Sequence, residues 1–129
     1  MPFDKAKCEQ CPLKTHWEAE GCWDPVDFEP NGDILFLGEG PSKTDVELGR
    51  PFIDEAGVRV LEQLQREDLE RHDVAWGHIV GCRWPHDEPQ KFLARLRGIN
   101  RKRKAKGLTP YMSPIEACSG HLRENLEDY

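Results

Sequence analysis

The chain has 129 residues, of which 37% are hydrophobic and 33% are charged, and its formal net charge at pH 7 is -6. This length has room for one domain, and the composition is too apolar for a wholly disordered chain. The negative charge argues against a protein that coats nucleic acid through its overall field, because phosphate binding then needs a local positive surface. The sequence contains neither a stretch of membrane-spanning length nor an apolar secretory signal, which predicts a cytoplasmic protein.

The opening segment, residues 1–30, shows no helical or strand periodicity and is predicted to be a loop that wraps over the domain. It contains Cys8 and Cys11, whose two-residue separation lets both thiolates bind one metal centre. Disulfides are rare in a reducing cytoplasm, so this spacing indicates a metal first. Cys22 has no partner at matching spacing and is predicted to be a bystander, although a role as an additional ligand stays open.

Residues 31–86 are predicted to contain a strand, a loop, a helix and a second strand. The apolar run Ile34–Leu37 is typical of a buried parallel strand that ends at Gly38. The glycine-rich loop that follows lies at the carboxyl end of this strand, where open α/β sheets bind their ligands. Residues 74–82 form the second strand candidate, ending at Cys82.

Between these strands, Val58, Leu61 and Leu64 recur at helical spacing and predict an amphipathic helix from Glu55 to about Arg71 that packs on the sheet. The order of strand, helix and strand predicts a right-handed parallel crossover. We therefore expect a single α/β domain over residues 1–129, with a short parallel sheet flanked by helices.

Residues 87–112 are predicted to be a basic helical insertion, because Phe92, Leu93 and Leu96 mark a helix that ends at Gly107. Seven cations in twelve residues can neutralise several phosphates, whereas a solvated helix end is the general alternative for such a charge run. These cations are Arg95, Arg97, Arg101, Lys102, Arg103, Lys104 and Lys106.

The last segment, residues 113–129, is predicted to be a helix that begins with a capping box, Ser-Pro-Ile-Glu, with proline at the first helical position. We expect this helix to bury Ile115, Cys118 and Leu122. Cys82 and Cys118 can then approach the paired cysteines of the opening loop. Four sulfur ligands suit either zinc or a four-iron, four-sulfur cluster, while the alternative is that these two cysteines are small buried apolar residues.

Four segments in the same order resemble the family-4-type uracil-DNA glycosylases. The run Gly38–Pro41, followed by Gly49–Phe52, resembles the first motif of that family. The segments Cys8–Leu13 and Cys82–Pro85 resemble its N-terminal cysteine pair and its strand-end cysteine. The segment that resembles the site of its fourth cysteine is Pro114–Cys118. Together these segments cover nearly the whole chain and correspond to the first half of that family's fold.

This resemblance implies a structural four-iron, four-sulfur cluster held by Cys8, Cys11, Cys82 and Cys118, with zinc as the alternative. It also implies a protein that binds DNA and acts in DNA repair. A similar domain forms the N-terminal unit of some phage-type DNA polymerases, so a DNA polymerase is a further candidate partner.

The activity implied by the resemblance is hydrolysis of the N-glycosidic bond of a flipped-out base. Phe52 corresponds to the aromatic residue that stacks on the base, with core packing as the alternative. Glu39 corresponds to an acidic residue that orients water or stabilises positive charge on the sugar, with a solvated loop glutamate as the alternative. Gly38, Gly40 and Pro41 are the remaining candidate substrate-binding residues, because glycine lets the backbone approach a ligand closely.

The sequence departs from the family at His78, where the family carries an asparagine that reads the base edge. Imidazole cannot reproduce the paired donor and acceptor of an amide, so the recognised base is left open. His78 is a tentative catalytic residue, and the alternative is a partly buried polar residue with one hydrogen bond.

The second half of the family's fold, which includes a histidine-containing motif, has no counterpart after Leu126. Three explanations are open: a second polypeptide completes the sheet, the chain is a shortened descendant that kept the cluster and lost catalysis, or it is an excerpt of a longer protein. In this family context Arg97, Arg101, Lys102, Arg103 and Lys104 are the predicted DNA-binding residues. A non-catalytic subunit or docking module of a replication or repair complex is the alternative function.

Overall fold

A computed structural model of the protein describes residues 7–127, with the side chain of Lys7 excepted. The remaining residues of the predicted leader and final helix, 1–6 and 128–129, lie outside this range. The described chain is a helix-rich α/β structure built around a short sheet of two parallel strands. Its helices are α1 (Pro12–Ala19), α2 (Lys43–Leu48), α3 (Glu55–Arg66), α4 (Pro89–Ala105) and α5 (Pro114–Leu126), and its strands are β1 (Leu35–Gly38) and β2 (Ala75–His78). Three short 3-10 turns span Lys7–Gln10, Arg71–Asp73 and Pro85–Asp87.

The sheet aligns the carboxyl ends of both strands, because Gly38 of β1 lies opposite His78 of β2 in the parallel register. The prediction of two parallel strands is confirmed, although β2 ends at His78 rather than at Cys82. After His78 the chain bends away, held by a hydrogen bond of 2.8 Å from the Ile79 amide to the Gly38 carbonyl. Cys82 therefore lies beyond the end of β2.

The two strands differ in burial. Every residue of β2 is buried, and Trp76 is bridged on the side away from β1 by Glu29. Within residues 7–127, β1 pairs along one edge alone, and Leu37 is 40% exposed. The prediction of a buried first strand is therefore wrong for β1, since no described segment covers its outer side.

The predicted opening loop contains a helix that periodicity did not reveal. In α1, Cys11 is the N-cap and Pro12 occupies the first helical turn, where its missing N–H costs no hydrogen bond. The helix buries Leu13 completely while most of its other residues stay exposed or half-buried. So narrow a buried face gives little periodic signal, and the prediction of an irregular segment up to residue 30 is wrong over α1.

The helix predicted from Glu55 to about Arg71 ends earlier, at Arg66. Asp68 adopts a left-handed conformation with φ of 60°, and the amides of Asp68 and Leu69 donate back to Gln65 and Leu64. These two bonds form a Schellman motif, which usually carries glycine at the left-handed position. The helix also exposes Val58, which was predicted to pack on the sheet.

Helices α4 and α5 follow the predicted order. Helix α4 buries Leu96 and ends just before Gly107, which has φ of 73°. Helix α5 begins at Pro114 as predicted, but Ser113 makes no side-chain capping bond, so the predicted capping box is wrong. Ile115 is exposed, because the buried face of α5 is instead formed by Ala117, Cys118, His121 and Asn125. No helix in the described range is long and apolar enough to cross a membrane.

Candidate functional site

Four of the five cysteines are buried and approach one another from three parts of the chain. Cys8 and Cys11 lie on and just after the first 3-10 turn, which closes through a 2.9 Å hydrogen bond from the Cys11 amide to the Cys8 carbonyl. Cys82 follows β2, and Cys118 lies in the first turns of α5. Helix α5 packs against the 3-10 turn, where the Met112 amide also donates to the Gln10 carbonyl at 2.8 Å.

The buried thiols influence one another electrostatically. Burial raises the pKa of the Cys82 thiol far above its usual range, and Cys118, Cys11 and Cys8 each raise it further, while a hydrogen bond from Trp23 opposes the shift. Burial likewise raises the pKa of Cys118 to about 11, with Cys11 and Cys8 again contributing. The Cys82 and Cys118 thiols are therefore within electrostatic reach of Cys8 and Cys11, and Cys11, Cys82 and Cys118 share one apolar cluster. Within residues 7–127, no group of three or more His, Cys, Asp or Glu side chains is arranged so that it could hold a metal ion.

This donor set fits a sulfur-ligated metal centre. The four cysteines are each no more than 7% exposed and lie against an apolar cluster that includes Leu13, Val80, Trp84 and Ala117. Thiolates are the soft ligands that iron–sulfur clusters and zinc prefer. The four predicted ligands are therefore all buried, and three of them belong to one apolar cluster, whereas Cys22 is exposed. That they bind one metal centre stays a prediction. Burial opposes the charged thiolate form of Cys11, Cys82 and Cys118 and raises the pKa of each.

A cleft of about 420 Å³ lies at the carboxyl ends of the two strands. Its lining includes every residue predicted for the base site: Gly38, Glu39, Gly40, Pro41, Phe52 and His78. Glu39 is exposed at this cleft, and Pro41 is buried. The sequence prediction of which residues share this end of the sheet is therefore consistent with the geometry.

Two aromatic rings stack within the cleft. The ring centroids of Phe52 and His78 are 4.7 Å apart, with 12° between the ring planes. Phe52 also lies 5.5 Å from the indole of Trp76 in a tilted arrangement. An added Cβ on Gly38 would lie 2.6 Å from His78 Nδ1 and 2.8 Å from Phe52 Cζ, so glycine is required beside this stack.

The backbone at Phe52 is held in an unusual conformation, with φ of 54°. Such a left-handed bend is rare for a bulky residue and needs support from its surroundings. Arg71 supplies part of that support, because its guanidinium donates to the carbonyl oxygens of both Phe52 and Pro51. Arg71 is itself paired with Glu29 at 3.0 Å, and Glu29 also accepts from Arg50 at 2.7 Å.

Asp45 holds the same loop through its buried carboxylate. The sequence analysis did not identify this residue. It is 1% exposed, and its carboxylate accepts hydrogen bonds from the amides of Phe52 at 3.2 Å and Ile53 at 3.0 Å. It also closes a capping box with Ser42 at the start of α2. The pattern Ser-Lys-Thr-Asp is a recognisable helix-start signal that could have identified the box.

Asp45 also faces the imidazole of His78, with 3.5 Å between its Oδ2 and Nε2. Burial tends to raise the pKa of Asp45, but His78 and the amides of Ile53, Ser42 and Phe52 outweigh it and lower the pKa below its ordinary value. The carboxylate is therefore ionised at neutral pH. His78 Nδ1 is buried and has no hydrogen-bond partner among the described residues.

Trp84 connects the cysteine region with the cleft. Its ring belongs to the apolar cluster that contains Cys11, Cys82 and Cys118, and it also lines the cleft. Its indole N–H donates to the Glu39 carbonyl at 3.2 Å. The cysteine region and the glycine-rich loop therefore share Trp84 as a common contact.

Apart from Lys91, which pairs with Glu88 at 3.0 Å, the exposed cations of the basic helix α4 and its C-cap make no ion pair with an acidic residue within the described range. They form two rows at helical spacing, and these rows are Arg97, Arg101 and Lys104 on one side, and Arg95, Lys102 and Lys106 on the other. Gly98 and Ala105 lie between the rows in a shallow depression. Arg103 faces Tyr111, with its guanidinium 4.2 Å from the ring centroid, and donates to the Thr109 carbonyl at 2.8 Å.

Comparison with known proteins matches residues 25–129 to the family model described as uracil DNA glycosylase superfamily. The type-4 uracil-DNA glycosylase of Thermotoga maritima is 36% identical over 83 residues, which cover 63% of this chain and 41% of that protein. The type-4 enzyme of Saccharolobus solfataricus is 32% identical over 123 residues, covering 94% and 46%. That of Pyrobaculum aerophilum is 27% identical over 119 residues, covering 92% and 49%. The chain thus spans a little under half the length of these relatives.

Proposed function

The chain belongs to the uracil DNA glycosylase superfamily, and we propose that it is an iron–sulfur DNA-repair protein that binds DNA and hydrolyses the glycosidic bond of a base extruded into its cleft. The observation that carries the proposal is the burial of four cysteines, three of which share an apolar cluster with Trp84, a residue that also lines the cleft at the carboxyl ends of both strands. Base-excising proteins need such a cleft, because the base must leave the DNA stack before its bond is accessible.

The proposed cluster ligands are Cys8, Cys11, Cys82 and Cys118, as the family resemblance implies. When bound, a four-iron, four-sulfur cluster supplies a rigid cross-link among these segments. The burial and mutual electrostatic influence of the thiols support this assignment. By connecting the opening segment, the end of β2 and α5, the cluster would make residues 1–129 one domain.

Within the cleft we assign separate roles to three residues. The exposed Glu39 carboxylate is available to orient water or to stabilise positive charge on the sugar. Phe52 offers an aromatic surface for the base, and His78 is the polar side chain nearest that ring. The glycines of the loop let the backbone approach the substrate closely.

DNA contact is assigned to α4. Its two rows of exposed cations, which include Arg97, Arg101, Lys102 and Lys104, lack acidic partners in the described range and are free to neutralise phosphates. Arg103 is half-buried against Tyr111, so it contributes to this surface mainly by fixing the helix end.

An abasic-site assay tests the enzymatic part of the proposal. Anaerobically purified protein is incubated with single- and double-stranded oligonucleotides containing uracil, and abasic sites are then cleaved chemically and counted. We expect abasic sites with the wild type, fewer with Glu39→Gln, and no change with Glu47→Gln, a matched exposed glutamate on α2. An absence of abasic sites in DNA that the protein demonstrably binds would refute the hydrolase assignment.

A second candidate function is a non-catalytic docking module whose sheet is completed by another chain, such as a replication protein. The observation that favours it is the outer side of β1, where Ile34 and Leu37 are 49% and 40% exposed beside an edge unpaired in residues 7–127. Exposed apolar strand edges attract additional strands. We expect a second chain to co-purify in a stoichiometric amount. Ile34→Lys should abolish its binding, whereas Leu48→Lys should not. A monomer by native mass spectrometry would contradict this function.

A further inference from the structure

In the cleft, one face of the Phe52 ring is already covered by another ring. The imidazole of His78 lies parallel to the Phe52 ring, at a centroid distance of 4.7 Å and an interplanar angle of 12°. Trp76 contacts the same phenyl ring at 5.5 Å. Two aromatic neighbours therefore surround Phe52, although both it and His78 line an open cleft.

The His78 imidazole is enclosed by its surroundings, with the Asp45 carboxylate beside one of its nitrogens. His78 is 7% exposed, and its Nε2 lies 3.5 Å from the carboxylate of Asp45. Asp45 is in turn fixed by the amides of Phe52 and Ile53, so the same carboxylate positions both stacked rings. His78 is the last residue of β2 and lies directly opposite Gly38 of β1.

The ring nitrogens of His78 indicate room for a ligand. Both are buried without a hydrogen-bond partner in residues 7–127, which is uncommon for polar atoms because an unmade bond is costly. Nε2 has the Asp45 carboxylate 3.5 Å away, whereas Nδ1 lies next to Gly38, whose missing side chain is the reason that the ring fits. An imidazole that leaves its stacked position would regain a polar partner in the cleft or in water.

We propose that the His78 imidazole acts as a gate in the cleft and so determines which base it accepts, because the imidazole occupies the surface of Phe52 on which a nucleobase would stack. A base stacks on Phe52 only after the imidazole has moved away, and the ligand must compensate for the interactions that the imidazole then gives up with Phe52 and Asp45. The site therefore rejects bases that stack but cannot engage the displaced histidine. This inference rests on the proposed function, since it takes the cleft to be the base site.

Nucleobase titrations test this gate directly. Full-length, anaerobically purified protein is titrated with free uracil and free cytosine in a calorimeter, as wild type, His78→Ala and His72→Ala. His72 is the matched control because its side chain is 79% exposed in the 3-10 turn before β2. We expect His78→Ala to bind at least one base about tenfold more tightly than the wild type and His72→Ala.

A second substitution identifies the surface involved. Adding Phe52→Leu to His78→Ala should remove the gain, because the liberated aromatic surface is then absent. If His78→Ala does not fold, as judged by its melting curve, His78→Asn provides the same test with a smaller planar side chain. Equal affinity of the wild type and the variant, including no binding by either, overturns the proposal.

The proposed function is judged separately, by binding of the wild type to a labelled single-stranded oligonucleotide. If the wild type binds DNA but His78→Ala shows no gain in affinity for free bases, the gate alone is rejected. Absent DNA binding rejects the proposed function, while the titrations with free bases still decide whether His78 covers Phe52.

Discussion

At the scale of single residues, Asp45 connects several parts of the cleft through one carboxylate. Its buried carboxylate caps α2, holds the amides of Phe52 and Ile53, and faces His78. Removing one partner of a buried polar network leaves donors that water cannot reach, which is where large losses of stability arise.

Asp45→Ala is therefore expected to lower the free energy of unfolding by about 3–5 kcal/mol, the usual loss when one member of a buried charged network is removed. Asp45→Asn keeps one acceptor oxygen and the side-chain volume, so it should lose distinctly less. Urea denaturation followed by circular dichroism measures both. Similar losses for the two variants would mean that the charge, rather than the accepted bonds, is what matters.

The same residue predicts a dependence of stability on pH. The pKa of Asp45 is lowered in the folded protein, so its contribution is complete above the ordinary carboxyl pKa of about 3.9 and is lost as the pH falls through the folded value. We expect the wild type to lose stability more steeply than Asp45→Asn below about pH 4. Glu29, whose pKa is also lowered, is present in both proteins and cancels in the comparison. Parallel curves of melting temperature against pH would contradict the assignment.

At the scale of secondary-structure elements, two helical glycines have opposite surroundings. A Cβ on Gly57, in the first turn of α3, would collide with the backbone carbonyl of Phe52. A Cβ on Gly98, in the middle of α4, would meet nothing within 4 Å. Only the first glycine is therefore required by packing.

Gly98→Ala is expected to stabilise the protein by about 0.8–1 kcal/mol, because alanine is the better helix former. Gly57→Ala should destabilise it by about 1–3 kcal/mol, the usual cost of forcing atoms into a packed region, and should also displace Phe52. Thermal melts of the two variants give the comparison. If Gly57→Ala were stabilised instead, the loop around Phe52 would be able to shift at little cost in free energy.

The cations of α4 give a prediction about binding rather than stability. If this helix binds DNA, Arg101→Gln combined with Lys104→Gln should reduce the slope of log K against log salt by about 0.7–0.9 for each phosphate that is no longer neutralised. Arg59→Gln combined with Arg66→Gln, on α3, makes the same change of net charge at other exposed positions. Fluorescence anisotropy at several salt concentrations measures the slopes, and an equal change in both double variants would contradict the assignment to α4.

The sequence predicted correctly those elements whose pattern of apolar residues lies within the element itself. Helix α4 and the start of β2 follow from periodicity and from an apolar run, whereas the end of β2, observed at His78, was expected only at Cys82. The early end of α3 was missed because Asp68 takes the left-handed position where glycine is the usual signal. The stack of Phe52 on His78 was also missed, because the position of the Phe52 ring depends on contacts with Asp45 and Arg71 that the motif residues alone do not specify.

At the scale of the whole molecule, the described chain has modest internal support for its size. The sheet has two short strands, and the buried core is divided between the cysteine region and the region around Trp76. A small core of this kind commonly depends on a metal or a cross-link. Four cysteines from three distant segments are suited to provide it.

Metal analysis of anaerobically purified protein, combined with its visible absorption spectrum, shows whether the four cysteines hold one centre. We expect about four iron and four sulfide per chain, as in a four-cysteine cluster, in the wild type and in Cys22→Ser, and their loss together with a lower melting temperature in Cys118→Ser. Stoichiometric zinc in place of iron would correct the identity of the metal. A metal-free wild type, or a Cys118→Ser variant that keeps its full iron content, would contradict the claim that these four sulfurs hold one centre.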